Sequence, residues 1–196
     1  MRTLFTALGL ALLAGIAWCE PILQQQGATT GTEVVLSTAN PKAQIRQQIA
    51  VPLRAGTNRL SFTWGEEKID PGTVRLHAGP ELVVGETTRP AGTTRTLAWD
   101  VTAPTEGQFP VAVSYLLSDL QWSASYRLRY QPGASRATLE GLITVSNDSG
   151  LALEGARLSL AVGRATGAQM ILPVPDISYL RVGAKARARF LPPTDL

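Results

Sequence analysis

The sequence predicts an all-β protein, an antiparallel β-sandwich that is immunoglobulin-like or built of two packed sandwich halves, with no substantial helix apart from an N-terminal export signal. Three observations carry this expectation. From Leu120 to Tyr130 every even position (Leu120, Trp122, Ala124, Tyr126, Leu128, Tyr130) is apolar or aromatic and every odd position is polar, the period-two signature of a strand with one face in a core and one in water. Turn chemistry recurs at intervals of about ten residues, as in Ala55-Gly56-Thr57-Asn58, Asp70-Pro71-Gly72 and Gly79-Pro80, a spacing that suits sandwiches and barrels rather than βαβ units. No window between these turns has the length and 3.6-residue periodicity of an ordinary helix.

Residues 1–19 join a basic start at Arg2 to an apolar stretch from Leu4 to Ala17, with Glu20-Pro21 immediately after. This is the make-up of a secretory signal peptide, and the stretch is short for a membrane span. The expected location is therefore outside the cytoplasm, in a periplasm or at a cell surface. Cys19 raises the possibility of a lipid anchor, and a membrane becomes a partner only if Cys19 is acylated. Trp18 stands where lipoprotein signals want Gly, Ala or Ser, so cleavage near Ala17 or Cys19 is the expectation. With no second cysteine there is no internal disulfide, and an apolar core must hold the fold.

The remaining chain divides by pattern. Residues 20–31 read as a flexible leader, and residues 32–101 as an N-terminal β unit. In that unit Ile45, Gln47, Ile49 and Val51 share one phase, Leu60 and Phe62 another, and Leu97, Trp99 and Val101 a third. Pro52 marks a strand end or an edge. Residues 102–165 read as a β-meander of the same sandwich or of a second one, with Leu120–Tyr130 as its organising strand and its rings turned to the core. The next strand carries Ala137, Leu139, Gly141, Ile143 and Val145, and a third carries Ala156, Leu158, Leu160 and Val162. Residues 166–196 are a proline-bracketed basic tail in which Ala184, Ala186, Ala188 and Phe190 alternate with Lys185, Arg187 and Arg189.

Composition excludes some functions. Apolar residues make up 44% and charged residues 17% of the chain, outside the range of disordered proteins. Removing Arg2 with the signal leaves 18 − 1 = 17 Lys plus Arg against 15 Asp plus Glu, a net charge of +2. That is no nucleic-acid footprint.

Several stretches resemble an exported bacterial family catalogued as domain of unknown function 4139 (DUF4139), which includes proteins labelled mucoidy inhibitor A. The stretches are Leu120-Gln-Trp-Ser-Ala-Ser-Tyr-Arg-Leu, Ala137 to Val145, Asn147-Asp-Ser-Gly and Ala156-Arg-Leu-Ser-Leu-Ala-Val-Gly. In the first half, Val51-Pro-Leu-Arg-Ala-Gly-Thr-Asn-Arg-Leu and Ile69-Asp-Pro-Gly-Thr-Val-Arg-Leu are similar to that family's opening. The closing strand reads Leu160-Ala-Val-Gly where the family usually has Leu-Ser-Thr-Gly. The resemblance implies a short member, an envelope β-sandwich with no established catalytic residues to carry over.

Candidate chemistry is sparse. His77 is the only histidine and reads as a strand residue at a sheet face or rim. No nucleophile elbow accompanies it, and a lone histidine with no cysteine besides Cys19 argues against a zinc or copper site. Glu66, Glu67 and Asp70 could form a glycosidase-like carboxylate pair, but their place around a turn favours solvated side chains. Asp148 reads as part of an Asx-type turn rather than a calcium site. Trp99 and Trp122 fall in the apolar phases of their strands and read as core, whereas Trp64 is the better candidate for a sugar-stacking surface. Arg181, Lys185, Arg187 and Arg189 could meet an anionic polymer or lipid phosphates, or could guard an edge strand.

No catalytic residue, cofactor or metal is expected. The leading expectation is a structural or adaptor protein of the envelope, with a protein partner, no nucleic acid and oligomerisation possible. The alternatives are a polysaccharide-binding module and a carboxylate-dependent hydrolase.

Overall fold

The computed structural model describes residues 22–24, 29–130, 132–133, 135–163 and 169–195. The expected export signal, with Trp18 and Cys19, lies outside them. In chain order the strands are Ile22–Gln24 (β1), Thr29–Ser37 (β2), Ala43–Leu53 (β3), Gly56–Thr63 (β4), Arg75–Ala78 (β5), Val83–Thr88 (β6), Thr96–Ala103 (β7), Gly107–Leu117 (β8), Leu120–Tyr130 (β9), Ala137–Asn147 (β10), Leu153–Glu154 (β11), Ala156–Val162 (β12), Met170–Val174 (β13), Tyr179–Leu180 (β14) and Ala184–Asp195 (β15). One 3-10 turn, Pro71–Thr73, is capped by Asp70.

These strands form a six-stranded sheet in the order β13-β12-β2-β3-β8-β5, a four-stranded sheet β1-β4-β7-β6, a three-stranded sheet β15-β10-β9 and a small β11-β14 pair. The protein is an all-β sandwich, and most neighbouring strands are antiparallel. The exceptions are β12 against β2 and β1 against β4. Ile22–Gln24, in the stretch expected to be leader, thus runs beside Ser61–Thr63 as a strand.

Period two explains why β3 sits at the centre. Ala43, Ile45, Gln47, Ile49, Val51 and Leu53 are buried, while the intervening side chains face outward. Pro52 lies one residue before the strand's end, opposite Gln108. One apolar core draws on all the sheets, with Val34, Ile45, Phe62, Trp99, Val113, Tyr115, Ile143 and Leu158 among its members. The rings of Phe62 on β4 and Tyr115 on β8 meet across the layers at 5.8 Å. Gln47, 3% exposed, accepts a hydrogen bond from the Tyr115 hydroxyl at 3.2 Å, which satisfies the one polar side chain on that face of β3.

Two expectations need correction. The third strand of the expected meander does not follow β10 in its sheet: Ala156–Val162 crosses over and pairs in parallel with β2, Ala156 opposite Thr32 and Ala161 opposite Ser37. Leu151 and Leu153, buried in the core, carry the chain across. The organising strand also turns out differently. β9 buries Leu120 and half-buries Trp122, but residues 123–130 are all exposed. The alternation identified a strand with an apolar face; it held no information on whether a second layer covers that face.

The turn after β10 explains the Asn147-Asp148-Ser149-Gly150 motif. The Asn147 side-chain amide donates to the carbonyls of Leu151 (2.7 Å) and Leu180 (3.1 Å), and its oxygen accepts from the Ser149 hydroxyl (2.6 Å). Asn147 and Ser149 are fully buried. The Asx residue of the turn is therefore Asn147, not Asp148. Gly150 adopts φ +84°, and a Cβ there would lie 2.5 Å from the Glu66 carbonyl oxygen. Only glycine fits.

Candidate functional site

The least ordinary surface is the outer half of β9. β9 pairs along its whole length with β10, from Leu120 opposite Asn147 to Tyr130 opposite Ala137. It is the last strand of its sheet, so its other edge has no strand partner among the described residues. Tyr126, Leu128 and Tyr130 are 64%, 60% and 62% exposed. Gly141 on β10 stands opposite Tyr126 and has no side chain to fill the space between β9 and β15. The Phe190 ring occupies that space, edge-on to Tyr126 with centroids 5.9 Å apart, and a Cβ on Gly141 would come within 2.9 Å of it. An irregularity in the β10–β15 register at Gly141 accompanies this packing.

The other face of the same sheet is cationic. Arg127 and Arg129 from β9 share it with Lys185, Arg187 and Arg189 from β15. Its central acid is Glu140, whose side chain is only 7% exposed between two guanidinium groups. Arg189 Nε donates to Glu140 at 2.7 Å, and Arg127 lies 3.4 Å from its other oxygen. The Arg189 hydrogen bond, more than the charges of Arg189, Arg127 and Arg129, holds the Glu140 carboxyl below the usual range against the opposing effect of burial. Five cations share this face, and Asp195, opposite Thr138 at the end of β15, is a second acid in its rows. Arg187 donates to the Ser125 hydroxyl at 3.3 Å, while Arg129 and Lys185 have no ion pair among the described residues.

The residues singled out from the sequence are dispersed. Lys185, Arg187 and Arg189 do lie together on an edge strand. Arg181 sits apart, before β15, hydrogen-bonded to the Tyr179 hydroxyl at 2.8 Å and stacked over its ring. Trp64 is not a surface ring: it is 4% exposed in the core, its centroid 5.8 Å from Phe62. It continues the Leu60, Phe62 alternation one step past the end of β4, a signal present in the sequence. Trp99 is buried and Trp122 half-buried.

Glu66 pairs with Arg95 (3.1 Å), Glu67 accepts from the Gly65 amide (2.5 Å), and Asp70 pairs with Lys42 (2.7 Å) while accepting from Gly72. Each carboxylate thus serves its own neighbour. The Lys42 hydrogen bond, followed by that from the Gly72 amide, lowers the Asp70 pKa.

His77 lies on β5, the edge of the six-stranded sheet, with Nε2 2.7 Å from the Ser114 hydroxyl. Burial first and the Arg46 charge second depress its pKa. It borders an open cleft of about 350 Å³ on the outer face of that sheet, shared with Thr30, Arg46, Gln48 and Ala112. Among the described residues no three His, Cys, Asp or Glu side chains cluster as a metal site, and no helix is long and apolar enough to cross a membrane.

Sequence reasoning placed Tyr126, Leu128 and Tyr130 in the core and gave Arg127 and Arg129 no role. The period-two pattern showed which residues share a face, and the position of the edge depended on a pairing partner 13 to 62 residues away, as with Arg127–Glu140 and Ser125–Arg187.

Fold and surface together define an all-β sandwich with a long, aromatic strand edge that is unpaired among the described residues and backed by a cationic face. No protein-family model matches the chain, and neither a curated protein nor a solved structure is significantly similar to it.

Proposed function

We propose that the chain is an exported, non-catalytic envelope protein that works as a structural or adaptor component by docking a partner protein along β9. The observation that carries this reading is the row Tyr126, Leu128, Tyr130, each more than half exposed on a strand whose outer edge is unpaired among the described residues. Natural sheets guard such edges with charge, bulges or covering loops, and contiguous exposed apolar side chains mark interaction sites. The Arg2 to Ala17 signal pattern and the resemblance of residues 32–165 to the exported DUF4139 family support the envelope setting.

A photocrosslinking residue placed at Leu128 in cells should yield a discrete protein adduct. The same residue at exposed Glu106 should not. Equal products at both positions, or none at Leu128, would remove the reading.

The cationic face supports a second reading, an anionic envelope polymer lying across Arg129, Lys185 and Arg187. That reading predicts retention on the polymer that is lost in Arg129→Glu and at high salt but indifferent to Leu128→Ala. The sugar-stacking version has lost its tryptophan, since Trp64 is interior.

A further inference from the structure

The β9 edge has a chemistry that selects its occupant, and this inference rests on the docking reading above. β9 alternates Tyr126, Leu128 and Tyr130 on one face with Arg127 and Arg129 on the other. A strand added to this edge continues both faces of the sheet at once. On one side its side chains meet exposed rings, and on the other they meet Arg127 and Arg129, with the β15 cations beyond β10 on the same face.

A second copy of the chain fits poorly. Antiparallel pairing of two β9 strands about Tyr126 would set Arg127 beside Ser125 and Arg129 beside Ser123, but it would also join two cation-rich faces into one. Pairing about Leu128 would oppose Arg127 to Arg129 directly, and like charges opposite one another destabilise a ladder. Arg129, on β9 itself and free of ion pairs among the described residues, has charge to offer an incoming acid. Glu140 meanwhile fixes Arg127 and Arg189 in place. The same arginines that keep copies apart favour the opposite charge.

We propose that β9 accepts, by strand addition, an extended protein segment that alternates apolar residues with aspartate or glutamate. The test uses the full chain and three synthetic peptides: one alternating valine and glutamate, its valine and lysine counterpart, and a scrambled peptide of the first composition. The alternating acidic peptide should bind about tenfold or more tightly than either control. It should slow solvent exchange at β9 backbone amides and weaken as salt is raised.

Arg129→Glu, at an exposed position whose melting temperature serves as the folding control, should reverse the preference toward the lysine peptide. Equal affinity for the acidic and basic peptides, binding with unchanged β9 amide exchange, or dimerisation of the chain through β9 in sedimentation would each overturn the proposal. If the Leu128 crosslink forms but the acidic peptide does not compete with it, the partner chemistry is wrong and the docking reading stands. If no crosslink forms, both fall.

Discussion

The side-chain amide of Asn147, at the end of β10, donates a 3.1 Å hydrogen bond to the carbonyl of Leu180 in β14, a residue 33 positions further along the chain. The same amide also holds Leu151, and the Asn147 carbonyl accepts from the Gly183 amide at 2.6 Å. Asn147 therefore ties the three-stranded sheet to β14 through its side chain and to the residue before β15 through its backbone, and β15 carries three of the five cations of the charged face.

Asn147→Ala leaves the Leu151 and Leu180 carbonyls without their donor in a site closed to water. Each unsatisfied group costs about 1–3 kcal/mol, so the variant should lose about 2–4 kcal/mol of stability in urea unfolding. A loss within about 0.5 kcal/mol would mean that water reaches the turn.

Gly150→Ala should cost more than about 3 kcal/mol, because it combines a left-handed backbone with a Cβ against the Glu66 carbonyl. Gly92→Ala has φ +75° but open space around it and should cost about 1 kcal/mol. The difference between the two isolates the steric contact from the backbone conformation.

Trp64→Ala should cost about 3–5 kcal/mol, as for any large ring removed from a packed core. Leu128→Ala should change stability by less than about 0.5 kcal/mol. Thermal unfolding of the two variants reads the assignment of interior and surface directly, and the reverse order would contradict it.

Two groups give pH dependence of opposite origin on the acid side. The Glu140 pKa is depressed in the folded chain, chiefly by Arg189, so its contribution is present above the unfolded value of about 4.3. That contribution disappears as pH falls through the lower folded value. Glu140→Gln should flatten the stability profile in this acid limb.

His77 is also depressed, by burial and then by Arg46. The folded chain therefore resists a proton that the unfolded chain accepts near pH 6.5, and stability declines as pH drops below that value. A proton NMR titration of the one histidine should place its midpoint below 6.5, and Arg46→Gln should move it up.

The sequence by itself determined the strands and their faces. Ile45, Ile49 and Val51 on β3, Leu97, Trp99 and Val101 on β7, and Ala184, Ala186 and Ala188 on β15 keep one phase because successive side chains of an extended chain point to opposite sides. Turn residues set most strand ends, while Trp64, read as a surface ring, proved interior although it continues the phase of Leu60 and Phe62. Only the tertiary structure decided which faces are covered and which edges are open. It sent Ala156–Val162 to lie parallel to β2, left Tyr126, Leu128 and Tyr130 in solvent, and gathered Arg127 and Arg129 with the cations of β15. Burial is a property of the layer opposite a strand, and pairing joins residues far apart in the chain, so neither is written in the local alternation from which the strand itself is read.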